Sequence, residues 1–331
     1  MQGNSGIITR TDFELGQNIN TPFAGENILT ITGANGWVGK RLCELIGQKT
    51  VQTKFAINPQ LRLISHSACS DQSLSDIAPA SVLTVIHLAG LAHQPAGTTF
   101  EQMHVANTEF AVKVAHQALA ASCKTFVLVS TAKVMGDISS RPFRESDLPQ
   151  PNDPYSVTKL AAETALQAIF KDSFCKLIIV RPPLAYGPNA KANFYAMMRW
   201  CASKAWLPLG AATAPRSMIY IDNLCDALLW CAYHPQAKAG VYFVKDREDR
   251  SVVDWITHIR QTMKLPQRTV SLPLAVLKVV ASLAGKRSTL DKLITPLQID
   301  DHQIRMAGWT PPYTTRAATA MTCNAWMNKP L

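Results

Sequence analysis

From residue 28 onward, short apolar runs alternate with longer segments whose apolar positions recur every three or four residues. ILTIT (28–32), LRLIS (61–65), VLTVIHLA (82–89), TFVLVS (125–130) and KLIIVR (176–181) have strand length and are rich in β-branched residues. The segments between them, WVGKRLCELIG (37–47), EQMHVANTEFAVKVAHQALAAS (101–122) and the stretch from Tyr155 to about residue 170, have helix length. Strands that are apolar throughout, separated by helices, predict an α/β fold: a doubly wound parallel sheet buried on both faces. Beyond Arg181 the texture changes. RPPLAYGPNAKANF, WLPLG, LDKLITPLQ and GWTPPY are proline-rich and break the alternation. The pattern therefore predicts an N-terminal extension (1–26), a dinucleotide-binding domain (27–181) and a smaller substrate-binding region (182–331) partly interleaved with the sheet. No internal repeat or low-complexity run interrupts this plan.

Composition adds constraints. The chain has 331 residues, 47% of them hydrophobic and 17% charged, enough to bury a large core. Its net charge of +10 is spread along the chain, which suits a basic cleft for an anionic small molecule better than a nucleic-acid arm. No DNA or RNA partner is expected. The eight cysteines form no C-x-x-C pair and several sit in apolar runs such as LCDALLWCA, so they read as small core residues of a reducing, cytoplasmic compartment, with no metal site. The N-terminal residues carry no apolar run of a signal peptide. LPLAVLKVVASLAGK (272–286) is too short to span a bilayer and carries Lys278. It is expected to be a buried amphipathic helix, with peripheral membrane contact left open and no integral span.

The first strand runs directly into GANGWVG, which spaces Gly33, Gly36 and Gly39 three apart around Asn35, Trp37 and Val38. The first two glycines permit a tight turn and close approach of a pyrophosphate to backbone amides. The third lets helix and strand pack together, with phosphate on the helix N-terminus. A strand before and a helix after make this a dinucleotide site, for NADP(H) or NAD(H). The end of the second strand, where a carboxylate would hold the ribose of NAD, reads Ser65, His66, Ser67. NADP(H) is thereby favoured modestly, unless Asp71 serves NAD.

Candidate chemistry lies at the end of the fourth strand. Ser130 and Thr131 place hydroxyls at the edge where open α/β sheets bind ligands, and DPYSVTK follows with Tyr155 and Lys159 one helical turn apart. A hydroxyl, a phenol and an ammonium at one edge make a carbonyl/alcohol hydride-transfer site, with the phenol passing the proton and the lysine stabilising phenolate.

With these motifs in order (GANGWVG, HLAG at 87–90, Asn107, Thr131, YSVTK, RPPLAYGP, RSMIYIDNL at 216–224 and MAGWTPPY), the chain resembles the extended short-chain dehydrogenases/reductases, the Rossmann-like superfamily of nucleotide-sugar epimerases, dehydratases and reductases. The resemblance implies that Leu88, Ala89, Gly90, Asn107, Ser130 and Pro182 line the cofactor with the glycine loop, Ser65, Tyr155 and Lys159. It implies that Asn107 supports the catalytic helix and proton relay, and that Thr131, Asn193 and Arg216 meet a UDP-sugar. It also makes a homodimer through helices 105–121 and 155–170 possible. Two departures stand out: Met135 replaces the tyrosine of V-Y-G, and Leu184 replaces the asparagine ahead of Y-G-P. With them the chain looks most like the branch reducing UDP-4-keto-6-deoxy-N-acetylhexosamines for surface polysaccharides. A UDP-hexose or UDP-N-acetylhexosamine 4-epimerase with tightly bound NAD is the alternative, and a non-catalytic dinucleotide sensor a third. A dehydratase is disfavoured because Ala132 and Lys133 stand where such enzymes carry acids. His87, His93 and His104 are expected to be core or surface residues rather than ligands.

Overall fold

The computed structural model describes residues 27–64, 82–91, 97–190, 192–285 and 287–328, and the side chain of Asn193 is not among what it describes. The N-terminal extension, Ser65, His66, Ser67, Asp71 and His93 lie outside the described residues.

In chain order the elements are β1 (Asn27–Thr32), α1 (Trp37–Ile46), α2 (Lys49–Phe55), β2 (Gln60–Ile64), β3 (Val82–His87), α3 (Phe100–His104), α4 (Phe110–Ala120), β4 (Thr125–Val129), α5 (Pro154–Phe170), β5 (Lys176–Arg181), β6 (Leu184–Tyr186), α6 (Ala192–Ala202), β7 (Pro215–Arg216), β8 (Met218–Tyr220), α7 (Ile221–Tyr233), β9 (Gly240–Phe243), β10 (Arg250–Ser251), α8 (Val252–Thr262), α9 (Leu274–Leu283), α10 (Arg287–Ile294), α11 (His302–Met306) and α12 (Thr315–Met327). Six strands form one parallel sheet in the order β2-β1-β3-β4-β5-β9. This is the doubly wound Rossmann-like architecture that the alternation predicts.

The two-residue period of a strand divides the core. Leu29, Ile31, Ile86, Val127, Ile178 and Val180 pack into one cluster with α1 and α7. Ile28, Leu83, Val85, Phe126, Leu128, Leu177 and Ile179 pack into another with α4 and α5. Burial on both faces is why these strands read as unbroken apolar runs. The region after residue 181 returns to the sheet: β9 pairs with β5 from Ile178↔Gly240 to Arg181↔Phe243. α7 is buried over nearly its whole length and is tied to α1 by a bidentate pair in which Arg41 meets Asp222 at 2.6 and 2.8 Å.

Two elements differ from the sequence expectation. Residues 101–122 do not form one uninterrupted helix: a π turn at Val105–Glu109 separates α3 from α4 and carries the buried Asn107. Side-chain periodicity alone cannot register one wide turn inside a helical run. Within the segment 272–286, α9 spans Leu274–Leu283, but only Leu277 in that helix is buried, so the helix lies on the surface rather than inside. Among the described residues no helix is long and apolar enough to cross a membrane.

Candidate active site

Because β1, β3, β4 and β5 are parallel, the loops that follow them open at one edge of the sheet. The glycine loop leaves β1 with Gly33 at φ +73°, and its N–H donates to the Ile64 carbonyl at 3.1 Å. A Cβ on Gly33 would stand 2.7 Å from the Ala89 nitrogen, and one on Gly39 would stand 2.4 Å from the Gly33 carbonyl oxygen. The loop thus folds flat against the start of the next loop because neither position has a side chain. Gly36 caps α1 without any side-chain hydrogen bond, and no acidic residue occupies the first turn. First-turn amides without a side-chain acceptor, beside exposed Asn35 and half-buried Val38, fit the phosphates of a dinucleotide. Trp37 spans outward, its Nε1–H donating to the Pro188 carbonyl at 2.8 Å.

The loop after β3 is fixed to both neighbours. The N–H groups of Leu88 and Ala89 donate to the Thr32 carbonyl (3.1 Å) and Oγ1 (3.3 Å). Asn107 Oδ1 accepts from the Leu91 N–H at 2.7 Å while its Nδ2 donates to Thr158 Oγ1 at 2.9 Å, joining this loop to α5. Gly90, at φ +155°, has no room for a Cβ beside Asn107 Oδ1, which would lie 2.6 Å away. His87 is fully buried, hydrogen-bonded to Thr32 Oγ1 at 2.9 Å and ringed by Phe110 and Phe126. Burial, and after it the Lys159 charge, push its pKa down to about 3. It is a neutral core histidine, and His104 is a partly exposed side chain stacked on Phe100.

The chemistry-bearing residues come from β4 and α5. Asp153 caps α5 in a reciprocal capping box with Ser156, and Pro154 occupies the first turn, so the helix starts where Tyr155 must leave it. Thr131 is the N-cap of the short 3₁₀ turn Ala132–Met135, its Oγ1 accepting from the Lys133 N–H at 3.3 Å. Thr131 and Tyr155, far apart in sequence, meet through their hydroxyls. Burial and the nearby Asp153 push the Tyr155 phenol up to about 12, with the Thr131 hydrogen bond working against them, so the phenol keeps its proton at neutral pH. Lys159, 3% exposed, is drawn down to about 8 by burial against the opposing pull of Glu163. Glu163 itself is engaged by Arg181, at 2.5 Å. The Lys159 ammonium has no hydrogen-bond acceptor among the described residues, and its Nζ lies 4.0 Å from where a Gly90 Cβ would be. A buried cation so placed fits the ribose hydroxyls of a dinucleotide laid over Gly90.

Ser130 Oγ is likewise buried without a partner, its N–H donating to the Val180 carbonyl at 2.8 Å. The buried Pro182 closes the edge, its carbonyl accepting from the Ala132 N–H at 2.8 Å. Arg216 is half-buried on β7, with Nη1 on the Thr295 carbonyl at 2.7 Å. Desolvation lowers its pKa, opposed by the charge of Asp137, which places it across from the turn that follows Thr131. Asn193 lies in the first turn of α6, and nothing is described of its side chain. Sequence reading missed the ion pair of Lys133 with Asp153, the Trp37–Pro188 bond and the π turn under Asn107. Only the first left a trace, an aspartate just ahead of proline at a helix start.

Fold and glycine loop together define a dinucleotide-binding α/β protein of the doubly wound type. The profile of the NAD dependent epimerase/dehydratase family matches residues 29–244. A UDP-glucose 4-epimerase of Vibrio cholerae is 30% identical over 90% of this chain and 95% of its own. A GDP-6-deoxy-D-mannose reductase of Pseudomonas aeruginosa is 24% identical over 91% of this chain and 97% of its own. The structure of RMD from Pseudomonas aeruginosa complexed with NADPH superposes with a TM-score of 0.69 at 21% identity, covering 92% of this chain and 100% of that one, a likeness of fold. The chain belongs to the NAD dependent epimerase/dehydratase family and is an NAD(P)-dependent enzyme.

Proposed function

We propose that the protein is a nucleotide-sugar oxidoreductase that reduces the 4-keto group of a UDP-4-keto-6-deoxy-N-acetylhexosamine, in the cytoplasm, for a surface-polysaccharide precursor. The dinucleotide lies along Gly33, Asn35, Gly36, Trp37, Val38 and Gly39, across Leu88–Gly90 and under Ser130 and Pro182, with residues 27–181 forming its domain. It supplies the hydride when bound. Tyr155 donates the proton to the ketone oxygen, which its retained phenol proton allows. Thr131 gives that oxygen a second hydrogen bond. The Lys159 charge stabilises the phenolate left behind and holds the ribose. Arg216, with Asn193, meets the diphosphate from residues 182–331, and Ser65 flanks the adenosine ribose. A homodimer through α4 and α5 completes this reading.

The observation that favours reduction of a deoxy ketosugar is Leu184. It stands two residues past Pro182 on β6, opposite Met218 of β8, and its apolar side chain is 44% exposed. Such a side chain cannot hydrogen-bond a sugar hydroxyl or a phosphate, but it suits a 6-deoxy methyl group. The likeness to the Vibrio cholerae 4-epimerase favours a second reading, epimerisation at C4 of a UDP-hexose or UDP-N-acetylhexosamine with retained NAD.

Purified protein mixed with the ketosugar and NADPH or NADH separates the two. A reductase consumes nicotinamide absorbance one for one with product, with NADPH at least as effective as NADH. An epimerase interconverts UDP-glucose or UDP-N-acetylglucosamine with the 4-epimer and consumes none. Conversion of those controls with the ketosugar untouched overturns the reductase reading.

A further inference from the structure

α9 has two apolar faces and buries only one. Leu274, Leu277 and Ala281 turn inward, packing against the large core with Leu290 and Ile294 of α10. On the opposite face Val276, Val279, Val280 and Leu283, at i, i+3, i+4 and i+7, are 47%, 60%, 57% and 86% exposed. Its approach is similarly apolar. The Val270 N–H donates to the Leu207 carbonyl at 2.9 Å and the Leu207 N–H to the Arg268 carbonyl at 2.8 Å. This short ladder holds exposed Val270 (39%) and Trp206 (64%) just ahead of the helix. Four branched aliphatic side chains on one helical stripe, led in by an indole, exceed the scattered exposed residues of an ordinary surface.

Charge indicates what covers this face. Between Asp254 and Asp291 the sequence holds six basic residues, of which Arg260 is buried, and no acidic one; between Asp172 and Asp222 it again holds six, of which Arg181 is buried, and none. Lys204 and Arg287 are exposed members of these two stretches, and Arg268 is half-buried with its Nη1 on the Lys204 carbonyl. Arg287 Nη1 donates to the Lys278 carbonyl at 3.3 Å, which keeps a guanidinium at the end of α9, and its carboxylate partner is Asp291. A surface helix with an outward apolar stripe, a neighbouring tryptophan and a flank in which basic residues outnumber acidic ones has the composition of an interfacial helix lying on anionic lipid. We propose that α9, with Trp206 and Val270, docks the protein peripherally on an anionic membrane surface.

The test is co-sedimentation of the full chain with phosphatidylcholine vesicles with and without phosphatidylglycerol, at low and at physiological salt. The wild type should bind the anionic vesicles, release them as salt rises and leave neutral vesicles in solution. Val279→Ser, Val280→Ser and Leu283→Ser combined should weaken binding roughly tenfold or more. Thermal unfolding unchanged from wild type shows that this variant is folded, as exposed positions should allow. Separately, Lys204→Glu with Arg268→Glu should abolish the preference for anionic lipid while leaving the apolar stripe intact. Equal binding to both vesicle types, or undiminished binding by the triple variant, overturns the proposal. So does light scattering that shows a wild-type dimer broken by the same triple variant, since a second copy would then cover the face.

Discussion

Lys133, two residues past the Thr131 hydroxyl, forms an ion pair with Asp153, the residue that caps the helix bearing Tyr155 and Lys159. Asp153 divides its carboxylate: Oδ1 accepts from the Ser156 N–H at 2.8 Å, and Oδ2 meets Lys133. Burial pushes the Asp153 pKa up, but the Lys133 and Ser156 bonds outweigh it and hold the carboxyl below its usual range. One pair therefore fixes the turn after β4 against the start of α5, and with it the approach of the two hydroxyls. Lys133→Ala should lower kcat roughly tenfold with little change in the KM for the nucleotide, because it misplaces donors rather than a binding group. Uncompensated, the Asp153 charge should also push the Tyr155 phenol titration to still higher pH, since Asp153 already raises the Tyr155 pKa. A pH series on Lys133→Ala, with Lys133→Arg restoring the profile, checks both.

Tyr155→Phe removes the proton donor and keeps the ring. Turnover with the ketosugar should fall by roughly two to four orders of magnitude, while nucleotide binding measured by fluorescence stays near wild type. Near-normal turnover would contradict the assigned mechanism.

Lys159 offers a test in which stability and activity part. Its folded pKa, about 8, lies below the 10.5 of an unperturbed lysine. Between those values the unfolded chain holds more protons, so this residue makes folding stability rise with pH across that window and costs stability below it. Lys159→Met, which keeps the buried stem and drops the charge, should raise stability at pH 7 by on the order of 1 to 3 kcal/mol while abolishing turnover and weakening nucleotide binding. Activity of the wild type should in turn decline as pH rises through about 8 and the ammonium is lost. Denaturant titration and initial rates over the same pH series give both curves.

Behind the site, Arg181 and Glu163 are buried together, Nη2 to Oε2 at 2.5 Å and Nε to both carboxylate oxygens at 3.1 Å. Arg181 Nη1 also donates to the Met135 sulfur at 3.2 Å, so the methionine that replaces a tyrosine in V-Y-G packs under the arginine. Glu163→Ala leaves a buried guanidinium unpaired and should cost roughly 3 to 5 kcal/mol in urea unfolding. Met135→Leu keeps the volume and should cost under about 1.5 kcal/mol.

What the sequence determined by itself is what depends on near neighbours. The two-residue alternation of β1, β3, β4 and β5 already separates Leu29 and Ile31 from Ile28, and Leu83 and Val85 from Ile86, so the sheet and its two buried faces were legible. Gly33, Gly36 and Gly39 marked the turn, Gly33 and Gly39 because only a missing Cβ fits there, and the spacing of Tyr155 and Lys159 put them on one helical face. Tertiary structure decided what requires contact across long loops. It brought the Thr131 hydroxyl to Tyr155 and Lys133 to Asp153. It placed Asn107 on a π turn between the Gly90 loop and Thr158, and returned β9 to the sheet. It also decided which apolar stripe of α9 faces the core and which faces outward. Periodicity gives both stripes, but only the packing of neighbouring elements determines which one loses its contact with water.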